Sequence, residues 1–447
     1  MIVSLPRWVL WVVPLCVALS VAGELVAAPI SSETVLAQPK GKKYPEVDAA
    51  VAKFTSGNLQ EARQEFEVAR MRHPELSSAE VMLARLFFAT GRVANGRVEL
   101  EQALAKAPDD AEAYDLLGNL ALADRRYTEA GMLYDKVAAL AAALDDKSPR
   151  KSELALRAEA GLATVAESRK NWVEAQKHLT AWIALDAKDY RPRVRMGQAL
   201  FQADKSQEAY QEFQAAAKLS DQAPTPEIMM GRLYQQKEDK TKAAEWMKLA
   251  LERAPQDPEV QVGLAEWNWE QGQLDAAKLH ADEALKLKPD MIEAKVIRGL
   301  VARFQKDYLE AEKQFQSAHL LSPANFTAAN QLALVLAEQD DEGKLRRARE
   351  LGELNVRQYP NNTEAAAALA GIYFKVGRTD DAAQLLQAVA NAGAMSGDAA
   401  YVMGQILAAR NNKEEAMRLL RAALDARGPF ANREAAQALY DKLSKKS

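Results

Sequence analysis

Histidine is the side chain best suited to proton transfer or metal ligation near neutral pH, and this chain has four: His73, His178, His280 and His319. No two are closer than 39 positions (280 to 319), so none share a helical turn. A metal site asks for closely spaced ligands or a cysteine cluster, and the sole cysteine, Cys16, sits in an apolar amino-terminal run. Paired carboxylates such as Asp380-Asp381 and Glu414-Glu415 fall where helices are expected to begin, where negative charge favours the helix dipole. No glycine-rich phosphate loop followed by Lys-Ser or Lys-Thr occurs. With 58 basic and 62 acidic residues, net −4, the chain lacks the basic footprint that a phosphate backbone attracts. These residues indicate no catalytic, metal or cofactor site and no nucleic-acid ligand.

What the sequence offers instead is periodicity. A small residue recurs every 34 positions at Ala50, Ala84 and Gly118, then Ala163, Gly197, Gly231, Ala265, Gly299 and Ala333, then Ala370 and Gly404. A second series runs twelve residues behind, from Ala62, Gly96 and Ala130 to Ala382 and Ala416. Two locked registers define a repeat made of two helices. Apolar spacing is helical within each half, as in Tyr114, Leu117, Gly118 and Ala121 followed by Tyr127, Ala130, Tyr134 and Val137. Breakers such as Gly57-Asn58, Gly91-Arg92, Gly272-Gln273 and Gly377-Arg378 turn the chain between helices. Prolines at 74, 108, 255, 289, 323 and 360 stop each second helix and start the next repeat. Small side chains matter because helix axes come within about 8–10 Å only where the crossing residues are short. The expectation is an all-α solenoid superhelix of about eleven helix-turn-helix repeats, folded throughout.

These residues resemble the tetratricopeptide repeat family. Its pattern appears as Met230-Gly231, Tyr234, Ala243, Met247, Ala250 and Pro255, and again as Gly299, Tyr308, Ala311, Phe315, Ala318 and Pro323. Departures are local: Arg298 replaces an aliphatic residue, Gly96 the alanine and Gly352 the bulky residue. Eleven repeats align, starting near residues 43, 77, 111, 156, 190, 224, 258, 292, 326, 363 and 397, over a domain of residues 38–430, and residues 431–447 form a closing helix. The resemblance implies a concave groove lined by first helices that receives peptides or protein segments. With the landmark small residue as the eighth of its repeat, the groove positions are the second, fifth, ninth and twelfth. They supply the candidate protein-binding residues Phe54, Phe88, Val194, Phe201, Ile228, Val262, Trp269, Val296, Phe374 and Tyr401, interleaved with Arg85, Arg191 and Arg232. The alternative is that these apolar side chains only fill gaps between adjacent first helices. Relatives that grip a terminal carboxylate place lysine at the fifth and asparagine at the ninth position; here the third repeat has Asn119 but Asp115.

Two irregularities interrupt the period. Both series jump by 45 around residues 145–155, placing eleven extra residues between Ala130 and Ala163. Ser148 as cap and Pro149 as first residue predict two lengthened helices there, with a longer surface turn as the alternative. Three more residues, within Gln339–Gly343, are expected to lengthen a turn. Residues 1–37 read as an export signal: Arg7, an apolar run from Trp8 to Gly23, and small residues that allow a cut after Gly23, Ala28 or Ala37. An uncleaved anchor is the competing reading, although sixteen apolar residues are short of the about 20 a bilayer needs. The chain is thus expected to be an exported, non-enzymatic scaffold, periplasmic or membrane-associated if bacterial, binding a protein or peptide without cofactors or nucleic acid. The alternatives are a structural subunit of a polysaccharide or lipid export machine, or the helical domain of a cell-wall enzyme.

Overall fold

A computed structural model describes residues 35–36, 43–146, 148–360, 362–389, 396–426 and 429–445. The apolar run and most of the expected signal segment lie outside these residues. Among the described residues there are helices and no strands, and no helix is long and apolar enough to cross a membrane. The chain divides between Leu233 and Tyr234 into two compact units.

The first unit holds five helical hairpins: α1 (Pro45–Thr55) with α2 (Leu59–Arg72), α3 (Ala79–Ala89) with α4 (Val93–Lys106), and α5 (Ala111–Ala123) with α6 (Tyr127–Ala142). They continue with α7 (Pro149–Ser168) and α8 (Trp172–Leu185), then α9 (Arg191–Gln202) and α10 (Ser206–Leu219), and the division falls within α11 (Pro226–Gln236). The second unit opens with α12 (Lys240–Arg253). Its hairpins are α13 (Pro258–Glu270) with α14 (Leu274–Leu287), α15 (Ile292–Phe304) with α16 (Tyr308–Leu321), and α17 (Phe326–Ala337) with α18 (Glu342–Gln358). Then come α19 (Thr363–Lys375) with α20 (Thr379–Val389), α21 (Gly397–Ala409) with α22 (Lys413–Asp425), and the closing α23 (Arg433–Ser444). Within each unit successive hairpins pack side by side, in solenoid fashion.

Most hairpins are locked by one contact that the 34-residue frame carries; the seventh and ninth, with Ala281 and Gly352 at the filling position, are the exceptions. The small eighth residue of the first helix forms a hole, and the twenty-fourth residue, on the second helix, fills it. Tyr134, Phe213, Phe315 and Leu420 lie against Gly118, Gly197, Gly299 and Gly404 so closely that an added Cβ would sit 2.9, 2.5, 2.7 and 2.9 Å from them. These four side chains and Phe66, which faces Ala50, are essentially removed from water. A buried aromatic of this size contributes about 1.5–3 kcal/mol through lost apolar surface.

The turns follow the same frame. Position 15 has a left-handed backbone in every hairpin but the ninth, whether it is glycine (Gly57, Gly91, Gly272, Gly377) or not (Arg125, Lys170, Asp204, Glu238, Lys306, Asn411). The amide that follows reaches back across the helix end, as when Asn58 N donates to Lys53 O at 2.9 Å and Arg126 N to Ala121 O at 2.7 Å. Side chains of Asp110, Asn171, Asp257, Asp307, Asn325 and Ser396 accept amide hydrogens at helix starts.

The two insertions are absorbed as helix. The first lengthens α6 to 16 and α7 to 20 residues, with Pro149 at the start of α7; Ser148 precedes it without making a side-chain cap bond. The second was expected in a turn. It extends α18 to 17 residues instead, because Asp341 caps the helix at the usual point and Leu345-Arg346-Arg347 propagate it well.

Gly197→Ala should therefore lower the thermal midpoint, at a cost of about 1–3 kcal/mol for overpacking, and Phe213→Leu in the same chain should recover part of the loss. An unchanged midpoint, or additive losses in the double variant, would refute the hole-and-filler pairing.

Candidate protein-binding site

The expected groove residues separate into two sets. Phe54, Phe88, Phe201, Ile228, Val262 and Tyr401 are buried, at 9 % exposure or less, and present almost no surface to a ligand. Their positions show why. Phe54 meets Phe87 edge-on at 5.2 Å, with the Arg92 guanidinium 4.7 Å from both rings, and Tyr401 meets Phe430 at 6.0 Å. Phe88 lies on Gly96 of its own hairpin, where a Cβ would collide with the ring, so the missing alanine is the seat of this side chain. Val194, Trp269, Val296, Phe374 and Arg232 are half-buried, and Arg191 is exposed, bonded through Nε and Nη2 to Asp189. Arg85 is buried.

In the first unit the groove positions of α3 and α5 hold charge. Arg85 Nη2 donates to Glu112 Oε2 at 3.2 Å, and its Nη1 donates to Ser77 Oγ at 3.2 Å and to the carbonyl oxygen of Val35 at 2.8 Å. Ser77 Oγ also donates to Glu112, and Arg150 Nη2 donates to the other carboxylate oxygen at 2.8 Å. Arg150 comes from the inserted segment, so the insertion contributes to this face. Asp115, at the fifth position, is 3.5 Å from Arg157 Nη1, and Asn119 Oδ1 accepts from the Tyr134 hydroxyl at 2.9 Å. Burial pushes the Asp115 carboxyl up, against the pull of Arg157. Burial acts on Glu112 in the same sense, but Arg85, the Ser77 hydrogen bond and Arg150 outweigh it and hold this carboxyl below its usual range.

In the second unit an aromatic pair remains partly open: Trp269 at the end of α13 and Phe304 at the end of α15, edge to face at 6.2 Å. Phe304 also lines an open hollow of about 1020 Å³, together with Arg421, Leu424, Phe430, Arg433 and Tyr440. Beside it Arg303 donates to both oxygens of Glu338 and lies 3.7 Å from Asp398. Burial would weaken its charge, but Glu338 and Asp398 raise its affinity for the proton. Sequence reasoning missed Phe304, Arg303 and the hollow; the aromatic at Phe304 follows the twelfth position, one place beyond the pattern used.

Two of the histidines are tied into local contacts, whereas His319 Nδ1 is buried without a hydrogen-bond partner. His178 Nδ1 is 2.7 Å from Glu159 and its Nε2 is 3.1 Å from Glu174, while His280 Nδ1 is 2.8 Å from Gln261. Among the described residues no three His, Cys, Asp or Glu side chains converge as metal ligands.

Because Glu112 is depressed in the fold, its stabilising contribution is complete above the ordinary carboxylate value of 4.5 and is lost as pH falls through its lowered value. Asp115, raised, acts in the opposite sense. Glu112→Gln should cost about 3 kcal/mol at pH 7, since Arg85 loses its counter-charge. It should also flatten the decline in thermal midpoint between pH 5 and pH 3. Parallel declines in the two proteins would show that Glu112 does not carry this effect.

Models of the tetratricopeptide repeat match residues 53–120, 228–292, 268–320 and 367–432. No curated protein sequence matches the chain. Similar solved structures include a tetratricopeptide repeat protein from Parabacteroides merdae, 17 % identical over 57 % of this chain and 99 % of that one, with a TM-score of 0.43. PilF of Pseudomonas aeruginosa is 19 % identical over 51 % of this chain and 99 % of its own, at 0.38. A thermophilic repeat protein of Thermus thermophilus is 16 % identical over 42 % and 100 %, at 0.36. The matched segments, the 34-residue frame and the hairpins that realise it together place this chain in the tetratricopeptide repeat family.

Proposed function

We propose that the chain is a non-catalytic scaffold that binds a protein segment through the groove-facing sides of its first helices, working outside the cytoplasm by virtue of its amino-terminal export signal or anchor. The family supports the coarser statement, a protein–protein interaction scaffold. The observation that carries the finer one is the Trp269–Phe304 pair beside a 1020 Å³ hollow. Partly open aromatic side chains beside a concave surface of mixed polar and apolar lining are a common setting for a protein-binding surface. Here Arg421 and Arg433 stand with Asp425, Glu434 and Asp441 around Phe304, Phe430 and Tyr440. This suits an apolar side chain whose neighbouring main chain stays polar.

A photo-crosslinking amino acid at position 269 should give discrete adducts with another protein in the native host. The same group at Leu309, 72 % exposed on α16, should not. Trp269→Glu should abolish binding of the captured protein with helical content unchanged. Equal adducts from both positions, or none from 269, would count against a groove site.

A further inference from the structure

Val35 is fully buried although it lies ahead of the repeat frame. It belongs to one apolar cluster with Tyr44, Val47, Val51 and Phe54, the second, fifth, ninth and twelfth residues of the first repeat, and Leu36 packs against the same cluster. Its carbonyl oxygen receives the Arg85 hydrogen bond at 2.8 Å. Arg85 stands at the ninth position of the second repeat, held in place by Ser77 and Glu112. Aliphatic side chains in an apolar row and a main-chain carbonyl on a fixed guanidinium are the contacts by which a groove holds a peptide.

We propose that the groove face of α1, α3 and α5 is a site for a short aliphatic protein segment and that the chain's own Val35–Leu36, retained when the export signal is cut after Gly23 or Ala28 or is not cut at all, fills it, so that a partner must displace this segment to bind. The proposal rests on the groove reading above and specifies its ligand: two adjacent branched aliphatic residues with a free carbonyl between them. Charge on the ligand is not required, because Glu112 already balances Arg85. A covalently tethered occupant has an effective concentration of order millimolar, so a free segment of equal intrinsic affinity competes poorly with it.

The test uses the full chain and a fluorescent peptide of residues 31–38, read by anisotropy. A chain carrying Val35→Asp and Leu36→Asp should bind the peptide at least about tenfold more tightly than the unaltered chain, as release from a tethered competitor predicts. A peptide carrying Val35→Asp should bind neither. Equal binding to both chains, or none to the double variant, overturns the proposal. Should the double variant lose its helical spectrum, hydrogen exchange on the unaltered chain decides: excess unlabelled peptide should accelerate exchange at the Leu36 amide, and an unchanged rate overturns the proposal. Adducts at position 269 report on the other unit. If they persist while the peptide test fails, the groove reading stands and only the self-filled site is lost.

Discussion

A large side chain seated on a missing one holds this protein together. Position 8 is glycine or alanine in all eleven repeats, and in most of them position 24 delivers a bulky group into the space. The contact does three things at once: it sets the distance between the two helices, fixes their rotation, and buries the heaviest side chains of the hairpin. Neighbouring hairpins then add one at a time within each unit, and the parts of the first helices left half-buried, at Val194, Trp269, Val296 and Phe374, form the candidate binding faces. Function is possible on those faces because stability is supplied elsewhere.

The first-helix faces are not uniform. In the first unit they carry buried charge, with Arg85, Glu112, Asp115 and Arg157 in one network that the inserted Arg150 completes. In the second they carry aromatic surface and one buried guanidinium, Arg303, clamped by Glu338. Buried ion pairs add little net stability and cost a great deal when broken, so their effect is to hold neighbouring first helices in one register.

How much of this was legible follows from which residues carry a unique signal. That the chain is a succession of helix pairs could be read because small residues recur in phase. The left-handed turn residue could be read at Gly57 or Gly272, where only glycine is conformationally free. It was hidden at Lys170 and Glu238, which accept the same geometry at roughly 1–2 kcal/mol because the surrounding bonds enforce it. The candidate groove was half legible. Position in the repeat selected candidates on the first helices, yet Phe54 and Phe88 lie within the packing, since the pattern fixes where a residue sits on its helix and not how closely the next helix or the turn covers it. Val35, outside the period, was legible only as part of a candidate cleavage site in the expected export signal.

The lengths of the two insertions bear on how neighbouring helices keep their contacts. Helix α7 exceeds α5 by seven residues, 20 against 13, close to two full turns at 3.6 residues each, so the landmark Ala163 returns to the same angular phase and its partner Leu179 is still seated. Helix α18 exceeds the common 14 by three, about 60° short of a turn, and there the filler is gone: Gly352 occupies its place, and Leu369 and Ile372 of α19 close in to 3.1 and 3.3 Å of where its Cβ would be. The near-whole-turn extension thus leaves Ala163 and Leu179 buried, whereas beside the three-residue extension side chains of the adjoining repeat occupy the space at Gly352.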